Sequence, residues 1–379
     1  MSAYETLRLI WWAVLGVLLI GFAVMDGFDL GTAMLLPFVG RTDIERRVVI
    51  NTIGPVWEGN QVWLITGGGA IFAAWPALYA VAFSGFYLAM FLLLAALILR
   101  PVGFKFRSKI ENARWRASWD MVLFLAGLVP ALVFGVAFGN AMLGAPFRFT
   151  PSLRMIYTGG LLELFSPFAL LCGLVSVAML LTHGATWLAC KTEAPIAARA
   201  RRIGSIAALA TLLLFALGGL FAAHLDGYVI TQFAGVDAPS NPLTKHVARV
   251  PGALLAHYGR APWTLAAPFL GLAGAALAGL LLAGGKAAKP AFLCSAAAIA
   301  GIIATAGISL FPFLLPSSLD PDAGLTVWDA SSSAGTLLTM AVATAVLLPI
   351  ILLYTGFIYH VLRGKVTAGA IEADPHGNY

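Results

Sequence analysis

Charge is what this sequence has least of. Only 11% of its 379 residues are Asp, Glu, Lys or Arg, while 60% are apolar; a soluble domain is nearer a quarter charged. So few charges cannot clothe a soluble surface of this size. A disordered chain, which needs high charge and low hydrophobicity, is excluded for the same reason. Cysteine is scarce too. Cys172, Cys190 and Cys294 have no paired spacing, which excludes a disulfide scaffold. There is no Cys-x-x-Cys-His and no Cys/His cluster, and no two of the six histidines stand three or four apart. The chain therefore carries no recognisable haem- or metal-ligating motif. Gly67-Gly68-Gly69 lacks the Lys-Ser/Thr that would follow in a phosphate loop. What remains is an all-α integral membrane protein. Its net charge of +6 is expected to mark cytoplasmic loops rather than a nucleic-acid partner.

A helix needs about 20 mainly apolar residues to cross the hydrocarbon. Nine stretches qualify: Leu7–Leu36, Thr52–Trp75, Ala77–Leu99, Ser118–Asn140, Gly160–His183, Ile203–His224, Trp263–Ala283, Ala291–Leu315 and Gly335–Leu362. Barrel strands would instead alternate in segments of roughly ten residues. The first stretch is too long for a cleavable signal peptide and carries two carboxylates. The second spans only if Trp57-Glu58-Gly59-Asn60-Gln61 enters the membrane, and Trp75-Pro76 separates it tightly from the third. Of the 23 Lys and Arg residues, 17 follow odd-numbered stretches, among them Arg41, Arg46, Arg47, Arg100, Arg107, Lys286 and Lys289. By the positive-inside rule the N-terminus is outside and the C-terminus cytoplasmic, which requires an odd number of crossings. The longest outside connection, about 225–262, has no clear motif.

Ionisable groups inside a membrane cost about 2.5–3.5 kcal/mol each at a helix centre and are functional candidates by default. Asp26 and Asp29 stand three apart, which puts both on one helix face. At 1.5 Å per residue they lie about 15 and 10 Å from the inner end of the first stretch, with Glu58 about 9 Å from the inner end of the second. Arg100 ends the third stretch, from which it could fold back toward them. Two readings are open. The carboxylates could be structural, bonded to backbone or hydroxyls, with Gly27 and Gly31 allowing close helix contact. Alternatively, three of them at compatible depths form a proton-handling chain, which Asn or Ser could not. Asp120 is expected to pair locally with Arg116, and Glu163 to favour a helix N-terminus. Asp226 and Asp329 are expected to be solvated at the outer surface. His183, His224 and His360 are expected near helix ends, and His246, His257 and His376 in loops or the tail. Trp11, Trp12, Trp75 and Trp263 read as interface belt residues. Trp57 and Trp63 flank the polar Glu58–Gln61 segment, which belt placement does not explain.

Several segments resemble subunit II of cytochrome bd quinol oxidases. They are Gly21-Phe22-Ala23-Val24-Met25-Asp26-Gly27-Phe28-Asp29-Leu30-Gly31, Pro55-Val56-Trp57-Glu58-Gly59-Asn60-Gln61-Val62-Trp63-Leu64 and Arg100-Pro101-Val102-Gly103-Phe104. Phe311-Pro312-Phe313-Leu314-Leu315-Pro316 and Thr326-Val327-Trp328-Asp329-Ala330 extend the likeness late in the chain. The resemblance implies a single membrane domain of nine transmembrane helices. These form a first four-helix bundle over 1–140, a second over 160–315, a peripheral ninth helix over 335–362 and a cytoplasmic tail over 363–379. It implies a partner subunit I carrying two haems b and one haem d, often a small single-helix accessory subunit, and no haem ligated by this chain. The complex, in the bacterial inner membrane, would oxidise quinol and reduce dioxygen to water with cytoplasmic protons and no pump. Asp26, Asp29 and Glu58 would belong to a proton route, with Arg100, Trp57, Asn60 and Gln61 as supporting groups. Trp63 would belong to dioxygen access or quinone contact, and a structural quinone can sit in this subunit.

Two rivals stand beside this. A proton-coupled secondary transporter also uses buried carboxylates and often broken helices, but Pro130 and Pro349 are not at symmetry-related positions. A scaffold would need its acids only for helix packing.

Overall fold

The computed structural model describes residues 2–285 and 287–373; Lys286 and His376 lie outside the described residues. The chain is mostly helical. Long apolar runs become helices because in hydrocarbon every backbone N–H and C=O must be satisfied within its own segment, and local signals set where each begins. Helix α1 (Ala3–Met25) starts where Ser2 accepts the Glu5 N–H. It runs into α2 (Gly27–Val39) across a single residue, Asp26, and the backbone ladder continues through it: Asp26 N–H donates to Phe22 O and Leu30 N–H to Asp26 O. A short amphipathic helix, α3 (Asp43–Ile53), begins with a reciprocal cap between Thr42 and Glu45. Then come α4 (Trp57–Ala74), α5 (Pro76–Gly85) and α6 (Tyr87–Phe106). Asn112 caps α7 (Ala113–Leu143), and Ser166 with Pro167 starts α8 (Pro167–Lys191). Next are α9 (Ile196–Ala222), the one-turn α10 (Ala256–Arg260), α11 (Ala266–Gly284) and α12 (Ala288–Leu310). Ser333 caps α13 (Ala334–Val361), and α14 (Ala368–Ala373) ends the described chain.

Among the described residues eight helices are long and apolar enough to cross a membrane, with α1–α2 counted together. The expected second stretch divides into α3 and α4, and the third into α5 and α6. Gly54-Pro55 and Phe86 fall at the breaks. The turn at Trp75-Pro76 is where expected. The fifth stretch starts seven residues later than read and ends eight later: Glu163 sits in an exposed 3-10 turn, its carboxylate accepting the Gly160 N–H, and the helix runs from Pro167 to Lys191.

Helix α8 is the centre of the packing, with most of its residues buried, and α13 the periphery, with only Leu337 buried. Helices α2 and α8 meet backbone to backbone. A Cβ added to Gly31 would lie 2.0 Å from Leu180 O, and one on Gly184 2.4 Å from Gly31 C. One end of the molecule carries three two-stranded antiparallel ribbons: β1 (Phe147–Phe149) with β2 (Met155–Tyr157), β3 (Asp226–Gln232) with β4 (His246–Pro251), and β5 (Phe313–Leu315) with β6 (Leu325–Thr326). The opposite end carries the basic connections. Trp11 and Trp75 are not belt residues. Both are buried in the core toward the ribbon end, and Trp11 Nε1 donates to Leu337 O at 2.9 Å. Trp263 is 78% exposed, as a belt residue would be.

Candidate functional site

The junction of α1 and α2 carries two carboxylates that face the interior. Asp26, Asp29 and Arg100 are all 0% exposed. Arg100 grips Asp26 with both ends of its fork, Nη1 to Oδ2 at 2.9 Å and Nη2 to Oδ1 at 2.6 Å. The same Nη2 lies 3.8 Å from Asp29 Oδ2. Arg100 is therefore not at a helix end. Helix α6 continues through Pro101 to Phe106, because the guanidinium finds its counter-charge inside the protein. Asn60, on α4, donates from Nδ2 to Asp29 Oδ2 at 2.8 Å, and its Oδ1 accepts the Tyr359 hydroxyl of α13 at 2.7 Å. Asp29 Oδ1 and Arg100 Nε have no hydrogen-bond partner among the described residues. With every group ionised, two carboxylates share one guanidinium; a single proton makes the cluster neutral.

The other expected residues divide. Trp57 is buried, its ring 5.8 Å from that of Phe104. Gln61 is half-buried beside Asn60. Trp63 is half-buried and fills the space over Gly21, where a Cβ would meet its ring at 2.4 Å. Glu58 does not join the carboxylate pair. It is exposed in the first turn of α4, as is Gly59, and no atom lies within 4 Å of where a Gly59 Cβ would be.

Two ionic clusters flank the site. At the basic end Asp120 is seven residues into α7 and pairs with Arg46 at 2.7 Å and Arg107 at 2.5 Å, while Arg116 goes to Asp43 at 2.8 Å. The expected Asp120–Arg116 pair is not made, since Arg46 and Arg107 reach Asp120 across the fold. Glu45 pairs with Arg199 at 2.7 Å. Burial acts to raise its carboxyl, but Arg199 and the Arg41 and Thr42 N–H groups outweigh this and hold it below the ordinary value. At the ribbon end Asp329 is buried, not solvated, and pairs with buried Lys245 at 2.9 Å.

His183 lies inside α8, away from its ends, and is the one buried histidine among the described residues. Its Nε2 donates to Val24 O at 2.9 Å and its Nδ1 meets the Ser295 hydroxyl at 2.7 Å. With both ring nitrogens engaged it offers none to an iron. No group of three or more His, Cys, Asp or Glu side chains among the described residues could hold a metal ion. An apolar cavity of about 660 Å³ opens between α1–α2, α7, α8, α9 and α12, lined by Phe22, Leu30, Phe134, Phe168, Val175 and Met179, with Tyr258 and Ser309 toward the ribbons.

Sequence reading missed Tyr359, His183 and the Lys245–Asp329 pair. The Ser166-Pro167 start signal would have put His183 inside its helix. Nothing local marks Tyr359.

Crossing-length helices around a desolvated Arg–Asp–Asp cluster define a polytopic membrane protein that keeps ionisable groups from both lipid and water. The model of the cytochrome bd terminal oxidase subunit II family matches residues 7–362. The chain is similar to "Cytochrome bd-I ubiquinol oxidase subunit 2" of Escherichia coli (strain K12), 51% identical with all of both chains covered. To "Probable cytochrome oxidase subunit 2" of Haemophilus influenzae it is 48% identical, again over both full lengths. The solved bd oxidase of Geobacillus thermodenitrificans shares the fold, with a TM-score of 0.67 at 20% identity, covering 95% of this chain and 100% of that one. The chain belongs to the cytochrome bd terminal oxidase subunit II family. It is thus a membrane-embedded subunit of an oxidoreductase complex in the bacterial inner membrane, with a partner subunit I.

Proposed function

We propose that the chain is the non-haem subunit of a quinol oxidase that reduces dioxygen to water, and that Asp26, Asp29 and Glu58 carry protons from the cytoplasm toward the oxygen-reducing site of subunit I. The observation that carries this reading is the pair of fully buried carboxylates sharing one guanidinium. A structural ion pair needs one acid. The second, Asp29, gives the cluster a proton site. Arg100 and Asn60 hold its Oδ2, leaving Oδ1 as the oxygen that takes and releases the proton. Glu58 is the outlet. Its carboxylate is exposed on a helix at membrane depth, where lipid would penalise it, so subunit I covers that face and supplies its partner. The two haems b and one haem d of subunit I supply electron transfer and oxygen reduction.

The remaining features follow the same reading. Helix α4 is the ninth crossing, its 18 residues reaching about 27 Å. Helices α1–α2, α4, α5–α6 and α7 form the first bundle (1–140); α8, α9, α11 and α12 form the second (160–315). With only Leu337 buried, α13 is the peripheral helix over 335–362, and 363–379 is the tail. The basic end faces the cytoplasm and the ribbon end, with the N-terminus, the outside. Protons for water then come from the cytoplasm, and a potential builds without a pump. The apolar cavity suits a quinone or lipid tail, and Trp63 lines dioxygen access. A small single-helix accessory subunit completes the complex, whose substrates are quinol and dioxygen.

The test is purification and deletion. An oxidase subunit copurifies with a haem-bearing partner, and its deletion abolishes quinol-driven oxygen consumption and the haem d absorbance. Purification alone, with solute movement in proteoliposomes, would refute the reading.

A further inference from the structure

The peripheral helix α13 buries almost nothing along its length, yet its inner end is fastened. Lys191, at the end of α8, donates to Leu362 O and, at 3.3 Å, to Gly364 O, while Val366 N–H donates back to Lys191 O at 2.8 Å. Just before this anchor Tyr359 packs its ring edge-on to Phe28 and Trp187, at centroid distances of 6.4 and 6.1 Å. Its hydroxyl donates to Asn60 Oδ1, and Asn60 Nδ2 donates to Asp29 Oδ2. The amide thus has one orientation. A flip would aim its Oδ1 at a carboxylate oxygen and its NH₂ at the Tyr359 hydroxyl. Asp29 Oδ2 has two side-chain neighbours, Arg100 at 3.8 Å and Asn60 at 2.8 Å. Through Asn60 the second connects it to the inner end of α13.

We infer that Tyr359 is a positioning residue for the proton site: its hydroxyl locks the Asn60 amide, so that Asp29 presents Oδ2 to Asn60 and Oδ1 to the proton. The inference rests on the proposed proton role of Asp29. It gives α13 a task beyond packing, since through one hydroxyl its inner end sets the geometry of a carboxylate buried under another helix. Tyr359→Phe keeps the ring edge-on against the stacked Phe28 and Trp187 rings and removes only the donor.

The experiment uses the intact purified oxidase with its haem-bearing partner. Tyr359→Phe, Asn60→Ala, their double variant and Asp29→Asn are compared for haem content, quinol KM, turnover and the redox-induced infrared band of the carboxyl C=O. In Tyr359→Phe, haem content and quinol KM stay at wild-type values, while turnover falls about three- to tenfold, the scale of one lost hydrogen bond. The carboxyl band that Asp29→Asn abolishes is shifted. If the hydroxyl acts through the amide, Tyr359→Phe changes nothing further in the Asn60→Ala background; a packing role would give additive losses and overturn the inference. A wild-type band and turnover in Tyr359→Phe, beside loss of both in Asp29→Asn, would overturn the inference and leave the proton role of Asp29 standing. Wild-type turnover in Asp29→Asn would overturn both.

Discussion

Replacing Arg100 by Met separates the buried cluster from an ordinary surface ion pair. The substitution keeps an unbranched apolar stem, two atoms shorter than arginine, and removes the only cation among the described residues within reach of two carboxylates that are 0% exposed. At 3.8 Å the Arg100–Asp29 attraction alone is about 4 kcal/mol at an effective dielectric of 20, before desolvation. Breaking a buried pair by removing one partner costs about 3–5 kcal/mol, because the other charge is left uncompensated. Asp26→Asn should cost less, about 1–2 kcal/mol, since Arg100 is already placed to close on Asp29. The double variant should recover part of the Arg100→Met loss, because one of the two stranded carboxylates is gone. The assay is thermal inactivation of the purified oxidase at one fixed scan rate, because unfolding of such complexes is irreversible and only the order of midpoints is meaningful. The expected order of stability is wild type, Asp26→Asn, double variant, Arg100→Met. An Arg100→Met complex as stable as wild type, or Asp26→Asn as damaging as Arg100→Met, would refute the shared-cation argument.

Gly31→Ala drives a Cβ to 2.0 Å from the Leu180 carbonyl, a backbone atom that cannot yield; a loss of about 3 kcal/mol should show as a reduced yield of haem-loaded complex. Glu58→Gln should leave thermal stability within about 0.5 kcal/mol, because the side chain is exposed, yet lower turnover by roughly 10–100-fold; an unchanged turnover would remove Glu58 from the route. The depressed Glu45 carboxyl contributes stability that is present above its ordinary value of 4.5 and lost as pH falls through its lower folded value. Acid inactivation curves of wild type and Glu45→Gln should therefore differ above pH 4.5 and converge below the folded value.

The sequence made some features legible and hid others for physical reasons. Asp26 and Asp29 could be read because an i,i+3 pair inside an apolar run shares one face wherever the helix packs. Asn60 and Glu58 could not be told apart without a neighbour. They are two residues apart, about 200° around a helix, so once Asn60 faces Asp29, Glu58 must face away. Arg100 looked like a helix end because it closes an apolar run, but α6 continues through Pro101 with the guanidinium neutralised by Asp26. Trp75 and Trp11 fit an interface belt by composition. Their burial is set by the loops at the ribbon end, whose pairing is long-range. Tyr359 was hidden for the same reason: its partner lies 299 positions away. Helix existence was plain from hydropathy, but the edges at Gly160 and Leu99 followed composition rather than the Ser166-Pro167 start and the continuation to Phe106.

The central claim, that the buried carboxylate pair delivers protons for oxygen reduction, is tested most directly by side-resolved proton uptake. The oxidase is oriented in liposomes with haem content verified, and uptake from the basic side is followed during a single reduction of dioxygen. Asp29→Asn should keep the haem spectra, slow uptake and turnover together, and leave the quinol KM unchanged. Wild-type uptake and turnover in Asp29→Asn, with a full haem complement, would contradict the account.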